Sequence, residues 1–218
     1  VDTFANSLED YPSSEGFHAS ADYVEYTEDI YVGYRYFETF AKDRVRYPFG
    51  FGLSYTSFTV SPGKPYLGDK DGQILLPVTV TNTGDRPGKE VVQIYCEAPQ
   101  GTLGKPARVL TGFDKTRTLS PGESQTVELP LVPPVSYDDT GATGFVHCNV
   151  LEAGEYRFYC GTDVRQAEYT ASIQLSRTVP GPQLRQASSL GKISPHSHTQ
   201  PRRRAGTPSI SAWSGTFE

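Results

Sequence analysis

Between residues 74 and 175 the apolar side chains come in short runs in which every second position is apolar. Successive side chains of an extended strand point to opposite faces, so such runs predict strands with one buried face. Ile74 to Thr81 puts Ile74, Leu76, Val78 and Val80 on one side, and Glu90 to Cys96 does the same with Val92, Ile94 and Cys96. Arg108 to Phe113, Thr126 to Leu131, Phe145 to Val150, Gly154 to Cys160 and Glu168 to Leu175 read as further strands. The breaks between them carry turn chemistry. Asn82 to Gly88 and Ser120 to Glu123 combine glycine, which accepts positive φ, with Asn, Asp or Ser side chains that bond their own backbone. Roughly seven short strands with turns every 8–12 residues is the pattern of an immunoglobulin- or fibronectin-like β-sandwich. No helical periodicity of convincing length runs between 60 and 175.

The two ends depart from this pattern. Residues 1–22 are polar and broken by Pro12, Ser13, Ser14 and Gly16, which predicts a loop. Residues 23–58 are densely aromatic, with tyrosines at 23, 26, 31, 34, 36, 47 and 55 and phenylalanines at 37, 49, 51 and 58. Tyr47-Pro48-Phe49-Gly50-Phe51-Gly52-Leu53-Ser54-Tyr55 sets its rings among glycines that let the backbone turn tightly. Such a segment is expected to tie two domains together through Tyr34, Arg35, Tyr36, Phe49, Phe51 and Tyr55, with buried hydroxyls finding partners. Residues 176–218 are rich in Ser, Pro, Arg and Gly without periodicity, and disorder is expected there.

Several of these stretches, in order, resemble glycoside hydrolase family 3, the β-glucosidase and β-xylosidase family. The first is Tyr-Thr-Glu-Asp-Ile-Tyr-Val-Gly-Tyr-Arg-Tyr-Phe-Glu-Thr (26–39), preceded by Ser7-Leu8-Glu9-Asp10-Tyr11-Pro12. Val-Thr-Asn-Thr-Gly (80–84), Gly-Lys-Glu-Val-Val-Gln-Ile-Tyr (88–95), Leu-Thr-Gly-Phe-Asp-Lys (110–115) and Leu-Ser-Pro-Gly-Glu-Ser (119–124) follow. The resemblance covers about residues 1–175. It implies that 1–59 is the end of an α/β sandwich domain with an interdomain segment, and that 60–175 is a fibronectin type III-like domain. The expected fold class is therefore mainly β: a β-sandwich preceded by an irregular, aromatic-rich remnant and followed by a disordered tail.

The same resemblance implies a non-catalytic part of a retaining β-glycosidase. Retention needs two carboxyl groups about 5–5.5 Å apart, one nucleophile and one proton donor. In the family these are an aspartate on a barrel domain and commonly a glutamate on the sandwich domain, and neither motif has a match here. Glu25, Glu28 and Asp29 are the tempting local carboxylates, and a solvated or structural role is the default for them. The sharper expectation places Glu28, Asp29 and Tyr31 at the rim of the sugar pocket of the complete enzyme. The implied partners are the barrel and sandwich domains, with a β-glycoside as substrate only of that complete enzyme. In some bacterial members the barrel follows the fibronectin-like domain, and the spelling of residues 26–39 resembles theirs. The tail would then be a truncated or frame-shifted end.

Composition narrows the alternatives. The 218-residue chain has a formal net charge of −5, and Arg177, Arg185, Lys192, Arg202, Arg203 and Arg204 sit in the tail against Glu218 alone. The body is therefore acidic, which argues against nucleic acid as a partner. No stretch approaches the roughly 18 apolar residues of a membrane span. Cys96, Cys148 and Cys160 lie in apolar runs, without the spacing of a disulfide framework or zinc site, and are expected to be buried and inert. No cofactor or metal is implied. His18 and His147 stand alone, and His196 with His198 offers only a loose metal pair. With no signal peptide in Val1 to Asn6, a cytoplasmic location is expected. The competing reading is a free-standing carbohydrate- or protein-binding β-sandwich module, since this fold hosts many functions.

Overall fold

A computed structural model describes residues 2–14, 16, 20–23, 27–70 and 72–184. Near the start, β1 (Phe4–Ala5) is followed by 3₁₀ turns at Leu8–Asp10 and Pro12–Ser14, then by a seven-residue helix, α1 (Tyr34–Phe40). The chain continues through β2 (Val45–Tyr47), β3 (Phe58–Pro62), β4 (Tyr66–Leu67), β5 (Ile74–Asn82) and β6 (Val91–Glu97). Next come β7 (Val109–Lys115), β8 (Ser124–Pro130), β9 (Ser136–Asp138) and β10 (Cys148–Leu151). The last are β11 (Gly154–Gly161), β12 (Glu168–Leu175) and β13 (Val179–Gln183).

Two antiparallel sheets face each other. One has the order β12-β11-β6-β7; in the other, β5 is central, with β8 along one side and β3 and β4 along the opposite side. A small sheet, β13-β10-β9, and the two-stranded ribbon β1-β2 complete the described strands. The register of β5 follows from its alternation. Ile74, Leu76, Val78, Val80 and Asn82 are buried, while the outward Thr79 and Thr81 meet Thr126 and Ser124 across the β5–β8 pair at 3.0 and 2.8 Å. A one-residue slip would send the whole apolar set to solvent. Opposite β5, Val92, Ile94, Cys96, Tyr156, Phe158 and Ile173 fill the core.

Strand β6 breaks the one-face rule. Gln93 and Tyr95, on the face turned away from the core, are buried too, at 6% and 0% exposure. Something covers that face, and it is the aromatic segment.

The three cysteines are free and buried as expected. Burial pushes the Cys160 thiol up to about 12, and burial with the nearby Glu97 charge pushes Cys96 higher still. A thiol reagent at pH 7 is expected to modify none of the three in the folded chain and all in denaturant. Fast reaction of Cys96 or Cys160 before unfolding would contradict this core.

Three sequence expectations are corrected. The region from 176 is not uniformly without structure: β13 pairs Val179 with Leu151, Pro180 with Val150 and Gln183 with Cys148. Its prolines and glycine hide a strand that lies at a sheet edge, where missing N–H donors are tolerated. The remainder of the expected tail, 185–218, lies outside the described residues. The aromatic segment also contains the helix α1, and β3 begins at Phe58, two residues before the sandwich was expected to start.

Candidate functional site

The best-built polar and aromatic constellation is the joint between α1 with its flanks and the outer face of the β-sandwich. A seven-residue helix is too short to persist alone. Gly33, at φ 60°, turns the chain into it, and Phe37, fully buried, anchors it on Ala5 and Ala41 with Tyr11 edge-on at 5.3 Å. This places Tyr34, Glu38 and Thr39 toward the sandwich.

Tyr34 lies with its ring centroid 4.5 Å from Phe49 and 6.2 Å from Tyr95, and its hydroxyl accepts the Leu110 N–H at 2.9 Å. Thr39 Oγ1 accepts the Ala107 N–H at 2.9 Å and donates to the Arg35 carbonyl. The buried Glu38 carboxylate accepts from Arg165 Nε at 2.9 Å, and Arg165 Nη2 donates to the Lys42 carbonyl at 2.7 Å. The Val164 N–H closes the joint on the Phe49 carbonyl at 3.0 Å. Gly50, at φ 94°, permits this approach: a Cβ there would sit 2.7 Å from the Asp163 Cα.

A second layer stiffens the receiving face. Arg108 bonds Glu97 at 2.9 Å and the Val164 carbonyl at 2.7 Å, and lies 4.0 Å above the Tyr159 ring, whose hydroxyl donates to Glu97. Tyr95 donates to Gln93, whose amide donates to the Thr162 carbonyl. Burial, with Tyr34 and Asp163 nearby, raises the Tyr95 phenol far above its ordinary range, so it remains a neutral donor. Replacing Thr39 by valine removes one acceptor from this joint and should lower stability by about 1 kcal/mol, read by urea denaturation. An unchanged midpoint would mean that the Ala107 N–H finds another partner.

The sequence-chosen residues separate into groups. Tyr34 and Phe49 meet on the sandwich with Tyr95, Val164 and Leu110. Tyr36 packs instead on Phe37 and Phe40, at 5.3 and 5.7 Å. Phe51 stacks on Tyr47 at 4.8 Å with a partly exposed ring, and Tyr55 is 93% exposed. Arg35 and Asp29 line one cleft, beside Lys105 and Tyr137. Glu28 is half-buried, and its carbonyl accepts the Tyr31 N–H; the Tyr31 ring meets Phe40 edge-on at 4.9 Å. Among the described residues, neither Glu28 nor Asp29 has an ion pair or side-chain hydrogen bond. Glu25, His18, His196, His198 and Arg202 to Arg204 lie outside the described residues. His147 pairs with Asp139 at 3.1 Å. No group of three or more His, Cys, Asp or Glu that could hold a metal ion occurs among the described residues, and no described helix is long and apolar enough to cross a membrane.

Sequence reasoning missed Glu38, Thr39, Arg108 and Arg165. Glu38 and Arg165 stand 127 residues apart, and no local spacing links them.

Residues 90–164 match the fibronectin type III-like domain. β-Glucosidase A of Butyrivibrio fibrisolvens is 53% identical over 198 residues, spanning 82% of this chain and 24% of that protein. A β-glucosidase of Ruminococcus albus is 50% identical over 197 residues, spanning 89% of this chain and 20% of that protein. The crystal structure of a β-glucosidase from Paenibacillus barengoltzii superposes with a TM-score of 0.78 at 49% identity, over 85% of this chain and 21% of that one. The likeness runs well beyond the β-sandwich and takes in the aromatic segment.

The chain belongs to glycoside hydrolase family 3. It spans about a fifth to a quarter of the length of the relatives it matches. Within family 3, the described residues correspond to the fibronectin type III-like domain and the segment leading into it.

Proposed function

We propose that this chain serves a family 3 β-glucosidase as its non-catalytic brace: a fibronectin-like sandwich with an aromatic tie to the domain that carries the sugar chemistry. The observation that carries this reading is the joint itself. One side of α1 holds the sandwich through Tyr34, Glu38 and Thr39, while the small unit around Phe37 holds only the β1-β2 ribbon. A two-stranded ribbon is marginal by itself. Its outer residues Phe4 and Tyr47, with Phe51, Leu53 and Tyr55 beyond, are large, apolar and exposed. Such a strip suits burial against a further domain, and relatives several times longer have chain to supply one.

The partners in this reading are the sandwich and barrel domains of the parent enzyme, and a terminal β-glucoside is bound and hydrolysed only in that larger assembly. Glu28, Asp29 and Tyr31 belong to the outer edge of the assembly, not to its reacting centre. Free, buried thiols support a reducing, cytoplasmic setting.

Sedimentation tests the exposed strip. The 218-residue chain is expected to self-associate with rising concentration, and Phe51→Ser with Leu53→Ser and Tyr55→Ser should shift it toward monomer. A chain that stays monomeric at high concentration, with the substitutions changing nothing, would remove the case for a buried interdomain face.

A further inference from the structure

The cleft that Asp29 and Arg35 line opens beside the joint, and its construction points to a ligand. It encloses about 740 Å³ and is walled by three separately anchored pieces of chain. The first is the start of α1, where Arg35 follows directly on Tyr34, itself fixed by Leu110 and Phe49. The second is the loop holding Lys105, tied down from below. Glu152 accepts the Thr102 N–H at 2.6 Å and the Leu103 N–H at 3.3 Å, and pairs with the Lys105 ammonium. The third is the β9-β10 hairpin, whose register sets Tyr137 directly across from Asn149. Residues opposed across an antiparallel pair share a face, so ring and amide stand side by side in the cleft wall.

We propose that this cleft binds a short neutral oligosaccharide. The volume falls within the roughly 300–1,000 Å³ of small-molecule sites, and rigid walls suit a preformed one. The charge pattern selects the ligand class. Arg35 is half-buried, and among the described residues its guanidinium has no ion pair or hydrogen bond. A partly desolvated fork of donors gains most from a ligand rich in oxygen acceptors. Lys105 is neutralised by Glu152, while Asp29 and Asp139 add negative charge to the rim. An anion would meet those carboxylates, whereas hydroxyl groups donate to them and accept from Arg35 and Asn149. Tyr137, 48% exposed, supplies a ring on which the C–H face of a sugar can stack. Asp29 adds a sign of its own: it sits at φ 49°, a backbone region that non-glycine residues adopt at a cost and that recurs at ligand sites.

The cleft needs both the aromatic segment and the sandwich, so an isolated sandwich would lack it. The test is calorimetric titration of the complete 218-residue chain with cellotriose and, separately, with inorganic phosphate. Saturable cellotriose binding is expected. Tyr137→Ala and Arg35→Gln should each weaken it about tenfold or more, as loss of an aromatic or arginine anchor does. Phe113→Ala, on an exposed residue of β7 away from the cleft, should leave it unchanged. Thermal melts of each variant separate lost binding from lost folding. No saturable heat with cellotriose, equal binding in all variants, or tighter binding of phosphate would overturn the proposal. None of these results bears on whether the chain braces a larger enzyme, which the sedimentation test decides separately.

Discussion

Replacing Lys105 by methionine is expected to destabilise the chain by about 3–5 kcal/mol, the usual cost of stripping one partner from a buried ion pair. Both side chains of the Lys105–Glu152 pair are only 5% exposed. Methionine fills a similar volume but leaves the Glu152 carboxylate with the Thr102 and Leu103 N–H groups alone. The pH dependence gives the effect a signature. Burial by itself would raise the Glu152 carboxyl, but the hydrogen bond from Lys105 and those from Thr102 and Leu103 outweigh it and hold it below its ordinary value. A carboxyl depressed in the folded state contributes stability that is complete above its unfolded pKa, about 4.3, and is lost as pH falls through the folded one. The gap between wild type and Lys105→Met should therefore be largest near neutrality and shrink below about pH 4. Urea denaturation at several pH values measures it. A gap that stays constant through the acid range would mean that the pair is not what Lys105 contributes.

Truncating Tyr34 to alanine should cost about 2–3 kcal/mol and loosen α1 from the sandwich. The substitution removes a ring wedged between Phe49 and Tyr95 and strips the Leu110 N–H of its acceptor. Tyr34→Phe keeps the ring contacts and should cost only about 1 kcal/mol. Hydrogen exchange reads the same event locally: in Tyr34→Ala the amides of Leu110 and Val164, which bond the aromatic segment, should exchange faster than those in the middle of β5. Uniform acceleration across β5 and the joint would show that the two open as one unit.

These two sites differ in how far the sequence discloses them. The strands were legible from their alternation, and a period of two is hard to mistake in residues such as Ile74 to Val80; β6 alternates as well, although both of its faces are covered. Strand β13 was not, because Val179-Pro180-Gly181-Pro182-Gln183 carries the composition of a linker and becomes a strand only by pairing with β10. Helix α1 was equally hidden. Tyr-Arg-Tyr-Phe-Glu-Thr-Phe has weak helical propensity, and burial of Phe37 decides its shape. At the joint, the aromatic density pointed to Tyr34 and Phe49, whose rings lie against the sandwich. The ionic half was invisible, because Glu38 meets Arg165, and Arg108 meets Glu97, only after the sheets form. Gln93 and Tyr95 left one trace: apolar or amide residues on the supposed solvent face of a strand signal a covered sheet. The rings of Phe51 and Tyr55 face outward in this chain, where the sequence offered no way to tell which domain they serve.

The central claim is that the chain carries the bracing part of a family 3 enzyme and not its chemistry. The most direct measurement is hydrolysis of an aryl β-glucoside by the purified 218-residue chain, beside a variant carrying Glu28→Ala and Asp29→Ala. The account predicts no turnover above the background of a mock purification, for either protein. Turnover by the chain that disappears in the variant would contradict it, by placing a working carboxylate at Glu28 or Asp29.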